Sequence, residues 1–118
     1  MKQLGVVLSD RGSKCAVSGG AALDRATVDA CLGALKSNKK YAKATHNSWA
    51  VVLGTGVLRN DDGEPGAGDI IARMLERAGL LGHVVIVTRW YGGVNLGGDR
   101  FRHVAECVRM YLAGLPGP

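Results

Sequence analysis

Asp61, Asp62 and Glu64 set three carboxylates within four residues of a loop, Asn60–Gly68, that is otherwise rich in glycine and proline. Like charges this close repel, so the loop needs compensation. A bound cation, arginine partners, or hydrogen bonds from loop amides and the next helix's N-terminus would each supply it. Oxygen-rich loops hold Mg²⁺ or Ca²⁺. The spacing here is not that of a twelve-residue calcium loop, because no glutamate follows at the required distance. An Asx-type turn is the structural alternative. Metal binding stays open.

A second segment runs Thr88-Arg89-Trp90-Tyr91-Gly92-Gly93 and continues through Gly97, Gly98, Asp99 and Arg100. Arg89 and Arg100 are natural partners for the acids, since a guanidinium can bind a carboxylate through two parallel hydrogen bonds. The four glycines permit positive φ or close backbone approach. A glycine-rich loop entering a helix can bind phosphate, but neither nucleotide-binding glycine pattern is present. Trp90 and Tyr91, if exposed, offer a stacking surface for a base or an anchor for a protein; if buried, they are core.

The third segment is Ala44-Thr45-His46-Asn47-Ser48-Trp49, where a histidine enters a strand. A structural role is the simpler reading of such a histidine. Ser48 is two residues from His46, but no Ser-His-Asp order, nucleophile elbow or cysteine pair is visible. No catalytic residue is assigned, and no cofactor is expected.

These segments must be held by regular elements. Leu4–Leu8 is an apolar run ending at Ser9–Gly12, and Ser13–Ala22 reads as a strand bulged at Gly19 and Gly20. Asp24 is placed to cap a helix on which Val28, Cys31, Leu32 and Leu35 recur. Trp49–Leu53 and Val57–Arg59 form a hairpin across Gly54-Thr55-Gly56. Asp69 would cap a second helix with Ile70, Ile71, Met74, Leu75 and Ala78 on its apolar side, ended by a left-handed Gly79. Val84–Val87 is apolar on both faces and reads as a central strand. Asp99 would cap the last helix, with Phe101, Val104, Ala105, Val108 and Leu112 buried. The expected fold is α+β: a two-layer sandwich of about four strands in a mixed sheet, with three helices on one face.

The chain has 118 residues, the size of one domain, and 47% hydrophobic residues, enough for a core. Residues 1–60 carry nine Lys/Arg against three acids, whereas residues 61–118 carry six against seven. Arg11, Lys14, Lys36, Lys39, Lys40, Lys43 and Arg59 are therefore the nucleic-acid candidates, with a solvated cationic surface as the plain alternative. Three separated cysteines, no secretory signal and no apolar run near the length of a membrane span lead to the expectation of a cytoplasmic protein with reduced thiols.

Lys43-Ala44-Thr45-His46-Asn47, Asp61-Asp62-Gly63-Glu64 and Thr88-Arg89-Trp90-Tyr91-Gly92-Gly93 together resemble the IMPACT family, which includes bacterial YigZ-like members. The resemblance runs from Asp10 to Leu112 with the motifs in the family's order. Leu96–His103 is more similar to the eukaryotic branch, and Pro65 is typical of bacterial members. The resemblance implies a fold like the second domain of ribosomal protein S5. It also implies translation control, since eukaryotic members compete for the activator of the kinase that phosphorylates initiation factor 2 and associate with actin. Those members carry a further N-terminal RWD domain; residues 1–118 are expected to form one IMPACT-type domain without it. Fold analogy alone is a weak warrant for function.

The leading expectation is a non-enzymatic regulator of translation that binds a protein or ribosomal partner. An RNA- or ribosome-binding module and a metal-assisted hydrolase are the alternatives. The candidate ligand or partner residues are His46, Asn47, Asp61, Asp62, Glu64, Arg89, Trp90, Tyr91, Gly92, Gly93, Gly97 and Arg100. The shared-site idea requires the charged members of this set to converge beside the two glycine loops.

Overall fold

The structure, a computed structural model, describes residues 1–116. It is α+β, as expected. Five strands, β1 (Lys2–Asp10), β2 (Ser13–Ala21), β3 (His46–Leu53), β4 (Gly56–Asn60) and β5 (His83–Trp90), pair in the order β1-β2-β5-β3-β4. The helices are α1 (Arg25–Lys36), a short α2 (Lys39–Ala42), α3 (Ala67–Ala78) and α4 (Asp99–Ala113).

The sheet differs from the expectation in number and sense. It has five strands, and every pairing is antiparallel. Residues 2–21 form two strands because Arg11 and Gly12 both take positive φ, 47° and 84°, and close a tight hairpin. The register shifts lie in β1, between Gln3 and Gly5 and between Val6 and Leu8, not at Gly19 and Gly20. β2 pairs without interruption to β5 through both glycines. Gly19 is required for another reason: a methyl group there would overlap the Tyr111 hydroxyl and the Val84 carbonyl. The small residues of β2 make room on both faces, Gly19 for Tyr111 of α4 and Gly20 beside Cys31 of α1, and that is why they show little amphipathic pattern.

The helices also occupy both faces of the sheet rather than one. Alternation along the strands sends Cys15, Val17, Ala50, Val52, Val85 and Val87 to a core with Ile71 and Leu75 of α3 and Val104 and Val108 of α4. Ala16, Trp49, Val51, Val84 and Ile86 point the other way, against Val28 and Leu35 of α1 and Tyr41 of α2. Burial on both sides explains the unbroken apolar run of β5, which is the middle strand as predicted.

Helix ends show which local rules hold. Asp24 does cap α1, accepting from Thr27 N at 2.8 Å. Gly79 ends α3 at φ 67°. Asp69 and Asp99 are not caps. Each lies inside the first turn, Asp69 paired with Arg73 at 2.9 Å and Asp99 with Arg11. The buried stripe of α4 is His103, Val104, Cys107, Val108 and Tyr111, while Phe101 is exposed. The phase is rotated because the helix buries a polar residue, His103, for a reason found in the site.

Candidate functional site

Antiparallel pairing fixes where the sequence motifs meet. Asp10 closes β1, Ser13 opens β2, Trp90 closes β5, His46 opens β3 and Asn60 closes β4. In the ladder Asp10 faces Ser13, Lys14 faces Trp90, Arg89 faces His46 and Trp49 faces Asn60. All five termini therefore lie along one end of the sheet. The Asn60–Gly66 loop and the Tyr91–Gly98 loop both leave from that end.

Arg89 is the hub. Its side chain is 3% exposed, and its Nε donates to Glu64 Oε1 at 2.8 Å, with Glu64 also 3% exposed. One terminal nitrogen contacts His103 Nδ1 at 3.1 Å and the other donates to the Arg100 carbonyl at 3.2 Å. A guanidinium only donates, so His103 Nδ1 accepts and the imidazole proton sits on Nε2. That nitrogen donates to Asp10 Oδ2 at 2.9 Å. Arg11 grips the same carboxylate, with Nε and a terminal nitrogen at 3.1 and 2.9 Å. The Arg11 hydrogen bonds, with a further contribution from His103, hold the Asp10 carboxyl down to about 2 against the opposing effect of desolvation. The chain Glu64–Arg89–His103–Asp10–Arg11 thus ties the acidic loop, β5, α4 and the β1–β2 turn together.

The three acids of the loop part company. Asp61 accepts from Gly66 N at 3.0 Å and Gly68 N at 2.7 Å, so it caps α3 from five residues upstream. Asp62, at φ 46°, accepts from Asn47 N at 2.7 Å, and its carbonyl takes a hydrogen bond from His46 Nδ1 at 2.8 Å. Glu64 goes to Arg89. Repulsion is relieved by an arginine and by backbone amides. Among the described residues no group of three or more His, Cys, Asp or Glu side chains is placed to hold a metal ion.

The remaining candidates divide between bracing and surface. Asn47 is buried, donating to the Tyr41 carbonyl at 3.1 Å and accepting from Thr88 Oγ1 at 2.7 Å. Trp90 is half-buried, with its indole N–H on the Lys40 carbonyl at 2.9 Å and its ring edge-on to Tyr41. Tyr91 is 53% exposed. Gly92 passes so close to the β1–β2 turn that a methyl group would overlap Gly12. Gly93 has φ 90° and Gly97 has φ 55°, both left-handed. Arg100 does not reach the acids; its guanidinium lies over Phe101 at 4.8 Å.

A cleft of about 140 Å³ opens above the hub, walled by His46, Glu64, Pro65, Arg89, Tyr91, Asn95, Leu96 and Arg100 with Gly63. His46, Glu64, Arg89, Tyr91 and Arg100 of the predicted set meet there. Asp61 and Asp62 brace the loop that forms one wall, whereas Asn47 and Trp90 lie on the opposite face of the sheet, against Tyr41. Sequence reasoning missed Asp10, His103, Asn95 and Leu96. His103 had a legible signal: it stands four residues before Cys107, in the buried phase of α4, where a polar residue needs a buried partner.

The basic candidates do not form a single stripe. Lys14, Lys39, Lys40 and Lys43 are exposed around the cleft's end of the sheet, with Lys40 5.1 Å over the Trp90 ring. Arg11 is engaged by Asp10 and Asp99, Arg59 stands 4.0 Å from Asp69, and Lys36 is exposed at the end of α1. Among the described residues no helix is long and apolar enough to cross a membrane.

Comparison with known proteins agrees with this frame. The Impact N-terminal domain family matches residues 11–112. A protein IMPACT homolog of Caenorhabditis elegans is 36% identical over 117 residues, covering 92% of this chain and 46% of that protein. Protein IMPACT of Mus musculus is 35% identical over 114 residues, covering 92% of this chain and 36% of its own length. The chain therefore spans less than half of each of these relatives. A crystal structure of a hypothetical protein superposes over 98% of this chain and 59% of its own with a TM-score of 0.85 at 24% identity, which shows the shared fold. The structure of Yih1, a two-domain translational regulator, matches 88% of this chain and 43% of its own with a TM-score of 0.50 and 26% identity. With the family match running from the β1–β2 turn into the last turns of α4, the chain belongs to the family of the Impact N-terminal domain.

Proposed function

We propose that this chain takes part in the control of translation by binding a protein or ribosomal partner through the end of the sheet that carries the cleft. Its relatives are IMPACT proteins, and the similar structure of Yih1 is that of a translational regulator. These relatives are longer than this chain, so the identity of the partner belongs to the proposal. Its setting is the cytoplasm, where translation proceeds.

The observation that carries the reading is the contrast between a rigid base and an open rim. Glu64, Arg89 and His103 are locked together in the interior, while Tyr91 on the cleft wall, Val94 in the same loop and Phe101 against Arg100 are exposed. Rigid exposed aromatics beside a preformed cleft are what a partner can bury at low entropic cost.

The test is a pull-down from cell extract with the wild-type chain and a Tyr91→Ala/Val94→Ser variant. Both positions are exposed, so the variant keeps its melting temperature. Ribosomes or translation factors recovered by the wild type alone support the reading. Equal recovery by both proteins removes this surface from it.

The second reading, an RNA-binding face, is supported by the exposed Lys14, Lys39, Lys40 and Lys43 at the same end. Phosphate contacts release counterions, so RNA affinity through these lysines falls steeply with added salt. Affinity that is flat in salt removes this reading.

A further inference from the structure

Glu64 and Arg100, which line the cleft, each keep one buried polar atom without a partner among the described residues: Glu64 Oε2 and Arg100 Nε. The Arg89 guanidinium holds the two residues together, donating to the other Glu64 oxygen and to the Arg100 carbonyl. A buried carboxylate oxygen without a donor is costly and is an unusual feature of a folded interior. A third group on the wall has spare capacity. His46 donates from Nδ1 to the Asp62 carbonyl, which leaves Nε2 of the neutral ring as an acceptor.

These groups specify a ligand by its hydrogen bonds. It must give an N–H to Glu64 Oε2 and present an acceptor to Arg100 Nε. Glu64, Arg89 and Arg100 together carry one net positive charge, which disfavours a cationic ligand and suits an uncharged donor–acceptor edge. The cleft, about 140 Å³, is close to the ~150 Å³ cavity known to accept one benzene ring. Pro65 and Leu96 supply apolar wall, and the exposed Tyr91 ring stands at the mouth.

We infer that the cleft binds the lactam edge of an unpaired uracil or guanine base. The base N–H donates to Glu64 Oε2, the adjacent base carbonyl accepts from Arg100 Nε, and the ring stacks on Tyr91. Guanine's amino group adds a donor for His46 Nε2. Adenine and cytosine present a ring-nitrogen lone pair where uracil and guanine have the N–H, and so set lone pair against carboxylate. An asparagine or glutamine carboxamide has the same polar edge, but it is not a ring and leaves the Tyr91 face uncovered. The inference is independent of the partner reading, since the ligand is the base itself.

The test is a calorimetric titration of the full chain with UMP, GMP, AMP and CMP, repeated with uridine and guanosine to remove the phosphate. The expected result is that UMP and GMP bind at least about tenfold tighter than AMP and CMP, because a site built for an N–H rejects the analogue lacking it. The preference persists with the nucleosides. Tyr91→Ala weakens UMP and GMP by about tenfold through lost stacking, with the melting temperature unchanged. Equal binding of all four nucleotides would reduce the site to phosphate attraction and overturn the inference. So would the absence of saturable binding, competition by acetamide as effective as uridine, or a Tyr91→Ala variant that binds like the wild type. A failed pull-down with intact UMP and GMP binding would remove only the partner reading.

Discussion

Arg89 and Glu64 form an ion pair in which both side chains are 3% exposed, 2.8 Å apart, at the point where the acidic loop meets the central strand. A buried pair is weak evidence of net stabilisation, because desolvating two charges offsets their attraction. Removing one partner is a different matter, since the other charge is then stranded. Arg89→Ala is expected to cost about 3–5 kcal/mol in urea unfolding. The double variant Glu64→Leu/Arg89→Met, which removes both charges and keeps bulk, is expected to be more stable than Arg89→Ala. Arg89→Lys should recover little, because an ammonium cannot serve Glu64, His103 and the Arg100 carbonyl from one plane. A double variant no better than Arg89→Ala would show that hydrogen bonding and not stranded charge dominates.

Acid sensitivity should trace to Asp10. Its carboxyl titrates at about 2 in the folded chain, chiefly through the Arg11 hydrogen bonds and then through His103, against about 3.9 in an unfolded one. A folded value below the unfolded one means a stabilising contribution that is fully present above about pH 4 and is lost as pH falls through about 2. Asp10→Asn should therefore be less stable than wild type at neutral pH, with the gap closing as the pH is lowered through that window. Urea midpoints at pH 7, 4 and 2 measure it. A gap that is constant with pH would mean that the carboxylate's charge is immaterial to the clamp.

Gly92 and Gly98 lie in the same loop and should respond in opposite ways to alanine. At Gly92 a methyl group would overlap Gly12 backbone and Ser13 N, so the chain itself must move. Overpacking of this kind costs about 1–3 kcal/mol, and here it also disturbs the bond from Gly92 N to Ser13 Oγ at 3.1 Å. At Gly98 nothing lies within 4 Å of the added carbon, and its φ of −68° suits any residue. Gly98→Ala should be neutral or stabilising by about 0.4–1 kcal/mol through a less disordered unfolded chain. Melting curves of the two variants settle the contrast.

How much of this could be read from sequence depended on whether the signal was local. β5 was legible because burial on two faces leaves an unbroken apolar run, and the β3–β4 hairpin because its turn residues stand between two apolar segments. The five-stranded antiparallel sheet was less so. β2 is made of small residues packed on both faces, Gly19 beneath Tyr111 of α4 and Ala16 against α1, and smallness carries no period. The pairing of Arg89 with Glu64 was visible as charge complementarity. The extension to His103 and Asp10 joins residues 93 apart, and nothing in either segment marks the other. The expected caps at Asp69 and Asp99 failed because a propensity rule names the nearest acid, whereas α3 is capped by one from the preceding loop.

That distant cap gives the last prediction. Asp61 is the only one of the three loop acids whose carboxylate meets the first amides of α3, at Gly66 and Gly68, and the N-cap residue Gly66 has no side chain to do so. The carboxylate also faces the positive end of the helix dipole. Asp61→Ala should cost about 0.5–2 kcal/mol, the range for losing an N-terminal cap. Asp61→Asn, which keeps an acceptor oxygen but not the charge, should fall between alanine and wild type. Added salt should narrow the difference between Asp61→Asn and wild type, since it screens the dipole interaction and leaves the hydrogen bonds. Because Asp61 supports the loop that presents Glu64 to the cleft without lining the cleft itself, its variants should lose stability in urea unfolding while keeping the base selectivity measured by calorimetry. Loss of UMP and GMP selectivity in a well-folded Asp61→Asn variant would place Asp61 in the binding site rather than beneath it.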